Sequence, residues 1–170
     1  MDAAAKFLFV KSLSLIHIYN GAPCEKKLKE LSRDRFDITC VCANEITSEI
    51  NVIQRGATAL LNARLLPMVQ EFIKSIIKDF RARGCTSPIM IVRSDGSLMS
   101  AAASLDRPVE TILSGPAASV LAGKLFSNSD DYVIIDMGGT TTDISVVTGG
   151  KAVAAENGIQ LGKWRTTRCV

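Results

Sequence analysis

The stretch Tyr132-Val-Ile-Ile-Asp-Met-Gly-Gly-Thr-Thr-Thr-Asp-Ile-Ser-Val-Val147 constrains this chain more than any other. Two apolar-rich runs flank two glycines and three threonines, a pattern of antiparallel strands joined by a short loop. One acid closes the first strand (Asp136) and another opens the second (Asp143). Phosphate recognition needs converging backbone N–H groups, and glycine lets a backbone come close to an oxyanion because it has no side chain. Gly138 and Gly139 supply that closeness, and the hydroxyls of Thr140, Thr141 and Thr142 add donors. Asp136 and Asp143 would repel a bare phosphate. They make sense beside a divalent cation held largely through water, as magnesium is. Either carboxylate could instead orient an attacking water. A tight hairpin with aspartates at its shoulders and no ligand is the competing reading. No Gly-x-x-x-x-Gly-Lys-Ser/Thr run is present, and the glycines lead into a strand rather than a helix. The P-loop and the dinucleotide fingerprint are therefore set aside.

Upstream, the pattern alternates. Strands are expected at Phe7 to Val10, Leu15 to Tyr19 and Ile38 to Cys42, with a helix over Cys24 to Arg33 whose Lys26, Lys27 and Lys29 form a solvated face. Steps of three and four then join Ile46, Ile50, Ile53, Ala57, Leu61, Leu65, Val69, Ile73, Ile76 and Phe80, which predicts one long helical element. Thr47 or Ser48 can cap its start, and Arg81, Arg83 and Gly84 suit its end. Pro67 is expected to kink or divide it. The apolar stripe is broad, which favours packing against a sheet over a coiled coil. After Gly84 come a strand (Ile89 to Val92), a polar turn (Arg93 to Ser97) and a strand opened by Pro108 (Val109 to Leu113). A helix from Ser114 to about Phe126, the hairpin, a turn at Thr148 to Gly150 and a strand from Lys151 to Ala155 follow. This order predicts an α/β chain with a mixed sheet.

The 170 residues, 47% hydrophobic, are enough to bury a core. A net charge of +3 from 20 basic and 17 acidic residues argues against nucleic acid or a membrane surface as partner, as does 5% aromatic content. No apolar stretch is long enough to span a bilayer, and no targeting signal is read. Five irregularly spaced cysteines and a single histidine, His17, suggest reduced, mostly buried thiols in a cytoplasmic protein. Arg93 could hold a carboxylate or phosphate and Asp95 a ring N–H, at a strand end where α/β ligands bind. A plain connection with a solvated arginine accounts for them equally. In the helix after Ser114, the pairs Ala118/Ala122 and Ser119/Gly123 allow close backbone approach. They serve tight packing or an inter-domain contact that pivots with nucleotide, and the helix N-terminus could hold an anion.

The run Asp136-Met-Gly-Gly-Thr-Thr-Thr-Asp143 resembles the second phosphate loop of the hydantoinase A/oxoprolinase family, of the actin-like ATPase superfamily. Leu61-Asn-Ala-Arg-Leu-Leu-Pro67, Ser94-Asp-Gly-Ser-Leu-Met99 and Pro108-Val-Glu-Thr-Ile-Leu-Ser-Gly-Pro-Ala-Ala118 match the same family in the same order. The resemblance implies a ribonuclease H-like, actin-like fold and an ATP- and Mg2+-dependent hydrolase opening small cyclic amides or imides. Gly138, Gly139 and Thr140 to Thr142 would hold the β- and γ-phosphates, with Asp136 and Asp143 around the metal. The family's first phosphate hairpin has no counterpart here. The chain is therefore expected to be an incomplete pair of domains, residues 1–126 ending the first with a connector helix and 127–170 opening the second. Such a fragment is expected to be inactive alone, with a homo- or hetero-oligomeric parent possible. A non-catalytic nucleotide-binding or assembly module is the alternative, and a small-molecule kinase a third reading.

Overall fold

The computed structural model describes residues 7–10, 23–48, 51–153, 160–161 and 164–165. Strand β1 (Phe7–Val10) pairs in parallel with β2 (Thr39–Cys42), in register from Phe7↔Thr39 to Val10↔Cys42. Parallel neighbours need a crossover, and helix α1 (Pro23–Phe36) lies within it. Its lysines lie on the solvated face, as expected, with Lys29 reaching Glu45 at 2.7 Å. The expected strand Leu15 to Tyr19 and His17 lie outside the described residues.

A one-turn helix α2 (Ala43–Ile46) separates β2 from α3 (Val52–Ala82), and both differ from expectation. Asn51, rather than Thr47 or Ser48, caps α3, its Oδ1 accepting from the N–H groups of Ile53 and Gln54. Pro67 does not divide the helix, which runs unbroken for 31 residues. Pro67 is itself exposed, while Leu66 before it and Ile73 after it are buried, so packing on both sides outweighs one missing hydrogen bond. The C-terminus closes as expected: Gly84 is left-handed at φ 82°, and the N–H groups of Gly84 and Cys85 return to Arg81 and Phe80 carbonyls.

The buried ridge of α3 overlaps the expected stripe only in part. Ala57 and Ile73 of that stripe are buried and Leu61 packs against the core, but Arg55, Ala59, Asn62, Ala63 and Leu66 face inward as well, whereas Ile53 is 72% exposed and Phe80 is exposed too. Small residues win because the partner backbones come close. Val41 of β2, Ala43 and Ile46 of α2, Ala59, Ala63 and Leu66 form the core together with Val109. Val109 belongs to the second correction: Pro108–Thr111 is a 3-10 turn rather than the opening of a strand. Proline suits a first helical turn, and the Val109 N–H is taken by the Asn62 side chain instead of a sheet partner. Asn62, fully buried, accepts from Val109 N–H at 3.0 Å and donates to the Asp106 carbonyl at 3.0 Å. One further buried polar pair, Glu25 and Arg55, ties α1 to α3 at a separation of 3.9 Å.

Beyond the core, β3 (Met90–Val92) and β4 (Leu98–Ser100) form an antiparallel hairpin over the Arg93–Ser97 turn. After a short helix α4 (Ala101–Ser104) and the 3-10 turn comes α5 (Ser114–Phe126), bounded as expected. It starts from Leu113 held left-handed at φ 58°, an uncommon conformation for a side chain of that size. β5 (Tyr132–Met137), β6 (Thr142–Thr148) and β7 (Lys151–Ala152) make an antiparallel sheet, and β8 (Gln160–Leu161) pairs with β9 (Trp164–Arg165). The chain is α/β, but the described strands form separate small sheets rather than one mixed sheet. Among the described residues, no helix is long and apolar enough to cross a membrane.

The Asn62 bridge predicts that Asn62→Ala, which strands a buried N–H and a carbonyl, lowers unfolding free energy by about 1–3 kcal/mol in urea; an unchanged midpoint would refute the bridge. The thiols give a second expectation. Burial pushes Cys40 up, and burial followed by the Glu45 carboxylate pushes Cys42 to about 12, whereas Cys24 is exposed. A raised thiol pKa stabilises the fold below the ordinary thiol value and loses that contribution as pH climbs toward the folded one. Alkylation mapped by mass spectrometry is expected to mark Cys24 at neutral pH and to spare Cys40 and Cys42, and stability to fall between about pH 9 and 12. Equal labelling of all three would contradict this.

Candidate functional site

The β5–β6 register places Asp136 directly opposite Asp143 and Met137 opposite Thr142, leaving residues 138–141 as the loop. Gly138 closes it by donating its N–H to the Thr141 carbonyl at 2.9 Å. Among the described residues, the N–H groups of Gly139, Thr140 and Thr141 find no partner. Three exposed donors in succession are what an anion needs. Neither glycine is left-handed, and a Cβ built on Gly139 would meet no atom within 4 Å. Among the described residues nothing crowds position 139, and the space beside it is open.

The two carboxylates lie across the strand pair from each other, and like charges so placed are unfavourable. Asp136 is exposed and accepts a hydrogen bond from the Ser119 hydroxyl of α5 at 2.8 Å. Asp143 is half-buried. Among the described residues no cluster of three or more His, Cys, Asp or Glu side chains is placed to hold a metal ion. Two carboxylates nonetheless fit a magnesium ion that draws its other ligands from phosphate and water.

Asp143 opens onto a cavity of about 720 Å³ whose lining includes Asp95, Pro116, Leu121, Ser145 and Lys151. The structure thus brings Asp95 and Asp143 to one cavity, although 48 positions separate them in the chain. Asp136 and Arg93 are not in that lining. Arg93 faces a second cavity of about 420 Å³ beside Arg107 and Glu110. Its Nε lies 2.9 Å from the buried Glu110 carboxylate, and its NH1 donates to Ser97 Oγ at 3.1 Å. Asp95 accepts from the Ser97 N–H and hydroxyl at 2.9 and 2.6 Å. Partial burial pushes the Asp95 carboxyl up, but these bonds and the Arg93 guanidinium outweigh it and hold the group below its usual range. Both side chains therefore shape the turn, and Asp95 alone also faces the hairpin's cavity.

Sequence reading missed several positioning groups. Glu110 holds Arg93 through its side chain and the Ser94 N–H through its carbonyl at 2.8 Å. Lys151 supplies a cation to the main cavity. Gly123 lets α5 rest on β5, since an added Cβ would lie 2.7 Å from Ile134 Cδ1. The Ser119/Gly123 spacing signalled that close approach, although not the carboxylate that Ser119 reaches.

Comparison with known proteins shows the family and the fold. A profile described as Hydantoinase/oxoprolinase matches residues 55–168. The caprolactamase subunit alpha of Pseudomonas jessenii is 30% identical over 82% of this chain and 21% of its own length. The 5-oxoprolinase 1 of Arabidopsis thaliana is 29% identical over 77% of this chain and 10% of its own. A nucleotide-free acetone carboxylase, described in connection with ATP-dependent acetone carboxylation, shares the fold with a TM-score of 0.78 at 19% identity. That likeness covers 99% of this chain and 24% of the carboxylase chain. The chain thus spans about a fifth or less of the length of these two curated relatives. Its sequence places it in the hydantoinase/oxoprolinase family.

Proposed function

We propose that this chain carries the second phosphate-binding hairpin of an ATP-dependent hydrolase that opens small cyclic amides or imides. The observation that carries the reading is the loop itself: three consecutive N–H groups without a partner among the described residues, a glycine with open space beside it, and two aspartates at opposed positions of the strand pair. In this reading Gly138, Gly139, Thr140, Thr141 and Thr142 clasp the β- and γ-phosphates of ATP. Asp136 and Asp143 share Mg2+ and relieve their own repulsion by doing so. Residues 1–126 form the closing part of a first actin-like domain and 127–170 the opening of a second, with α5 as connector, in a cytoplasmic protein.

The chemistry explains why such a site needs a nucleotide. An unstrained ring amide resists water, and a phosphoryl group on its carbonyl oxygen, which ATP and Mg2+ would supply when bound, makes the carbon electrophilic enough for water to add and the C–N bond to break, the ring nitrogen taking a proton and the phosphate then leaving by hydrolysis. The chain's residues orient and hold. Amides at the loop neutralise phosphate charge, and Asp143 stands where the hairpin meets the 720 Å³ cavity. Asp95, in the lining of the same cavity, would accept from a ring N–H, and Arg93 fixes the turn that carries it. Acetone carboxylase's shared fold favours one alternative, activation of a different oxygen by the same phosphate clasp for carboxylation. Relatives described as subunits support an oligomeric parent.

Gly139→Ala separates this reading from an empty hairpin. An added methyl has room in the chain, so thermal stability is expected to change by less than about 0.5 kcal/mol. By calorimetry, Mg-ATP affinity is expected to fall by roughly tenfold or more, about 1.4 kcal/mol. Equal affinity in the two proteins would overturn the reading. The 170-residue chain alone is expected to release no phosphate and open no ring; substrate-dependent turnover by it would refute the incomplete-site account.

A further inference from the structure

We infer that Ser119 is a positioning residue for the cation site, setting which oxygen of Asp136 faces a phosphate-bound divalent metal; this rests on the reading of the hairpin as a phosphate clasp. Asp136 is exposed, one residue before the end of β5. Among the described residues its side chain is held from another element: Ser119 Oγ donates to Oδ2 at 2.8 Å. That contact occupies one carboxylate oxygen and leaves Oδ1 for a cation shared with Asp143 across the strands. A serine side chain is short, so it reaches only because the helix lies close. Gly123, one turn further along α5, gives that closeness, with Ile134 Cδ1 and Tyr132 Cε2 at 2.7 and 3.3 Å from where its Cβ would stand. The packing of α5 on β5 and the aim of the carboxylate are thus one geometric fact.

A residue that only packed the helix would affect every ligand alike. A residue that aims a metal-binding carboxylate affects the metal-bound nucleotide selectively, because metal-free ATP gains nothing from Asp136. The test titrates the full chain and its Ser119→Ala and Ser119→Thr variants with ATP, with and without Mg2+. Ser119→Ala is expected to weaken Mg-ATP binding roughly tenfold, leaving metal-free ATP within about twofold, while Ser119→Thr, which keeps the hydroxyl, restores the Mg2+ preference. Ser119→Ala with an undiminished Mg2+ preference overturns the inference and leaves the phosphate clasp standing. So does a variant that loses both forms of ATP equally. Failure of the unsubstituted chain to bind Mg-ATP at all overturns the clasp, and this inference with it.

Discussion

A buried amide side chain organises much of this molecule. Asn62 reaches from α3 to the 3-10 turn and serves both the Val109 N–H and the Asp106 carbonyl. Left unserved in a buried position, those groups would cost more than a typical exposed hydrogen bond returns. Fixing Val109 also fixes its neighbour Glu110, whose side chain and carbonyl hold Arg93 and Ser94. Those two residues set the turn at Gly96, and Gly96 lies against Leu121 of α5. Through Gly123 the same helix sits on β5, the strand that ends in Asp136. A continuous set of contacts therefore runs from the helical core to the loop.

The consequence is a packed frame behind an open loop. The described core lies among α2, α3, β2 and the 3-10 turn, while residues 138–141 at the tip are exposed. Donors presented on a scaffold held from behind need little reorganisation when an anion arrives, the condition under which electrostatic stabilisation is most effective. The opposed carboxylates fit the same logic. Their repulsion is a cost that an empty hairpin has no reason to carry.

Much of this was legible in the residues. Two apolar-rich runs and the paired glycines between them placed β5 and β6, and Gly84 marked the end of α3. Local patterns failed where a distant group decided the outcome. The segment after Pro108 has strand-forming residues, yet Asn62, 47 positions away, takes its N–H and a 3-10 turn results. The inward ridge of α3 was legible only in part: Ala57 and Ile73 are buried as expected, but hydrophobic periodicity weights large side chains, whereas close backbone approach also selects Ala59, Ala63 and Asn62. The link from Ser119 to Asp136 had only the signal of small-residue spacing. Which atom stands opposite a small residue is a property of tertiary packing.

The central claim is that the amides of one loop receive a triphosphate. Backbone chemical shifts of the 15N-labelled chain, followed while Mg-ATP is added, test it most directly. The account predicts that the largest, saturable shifts belong to Gly139, Thr140 and Thr141. Shifts confined to other parts of the molecule, or none at saturating nucleotide, would contradict it.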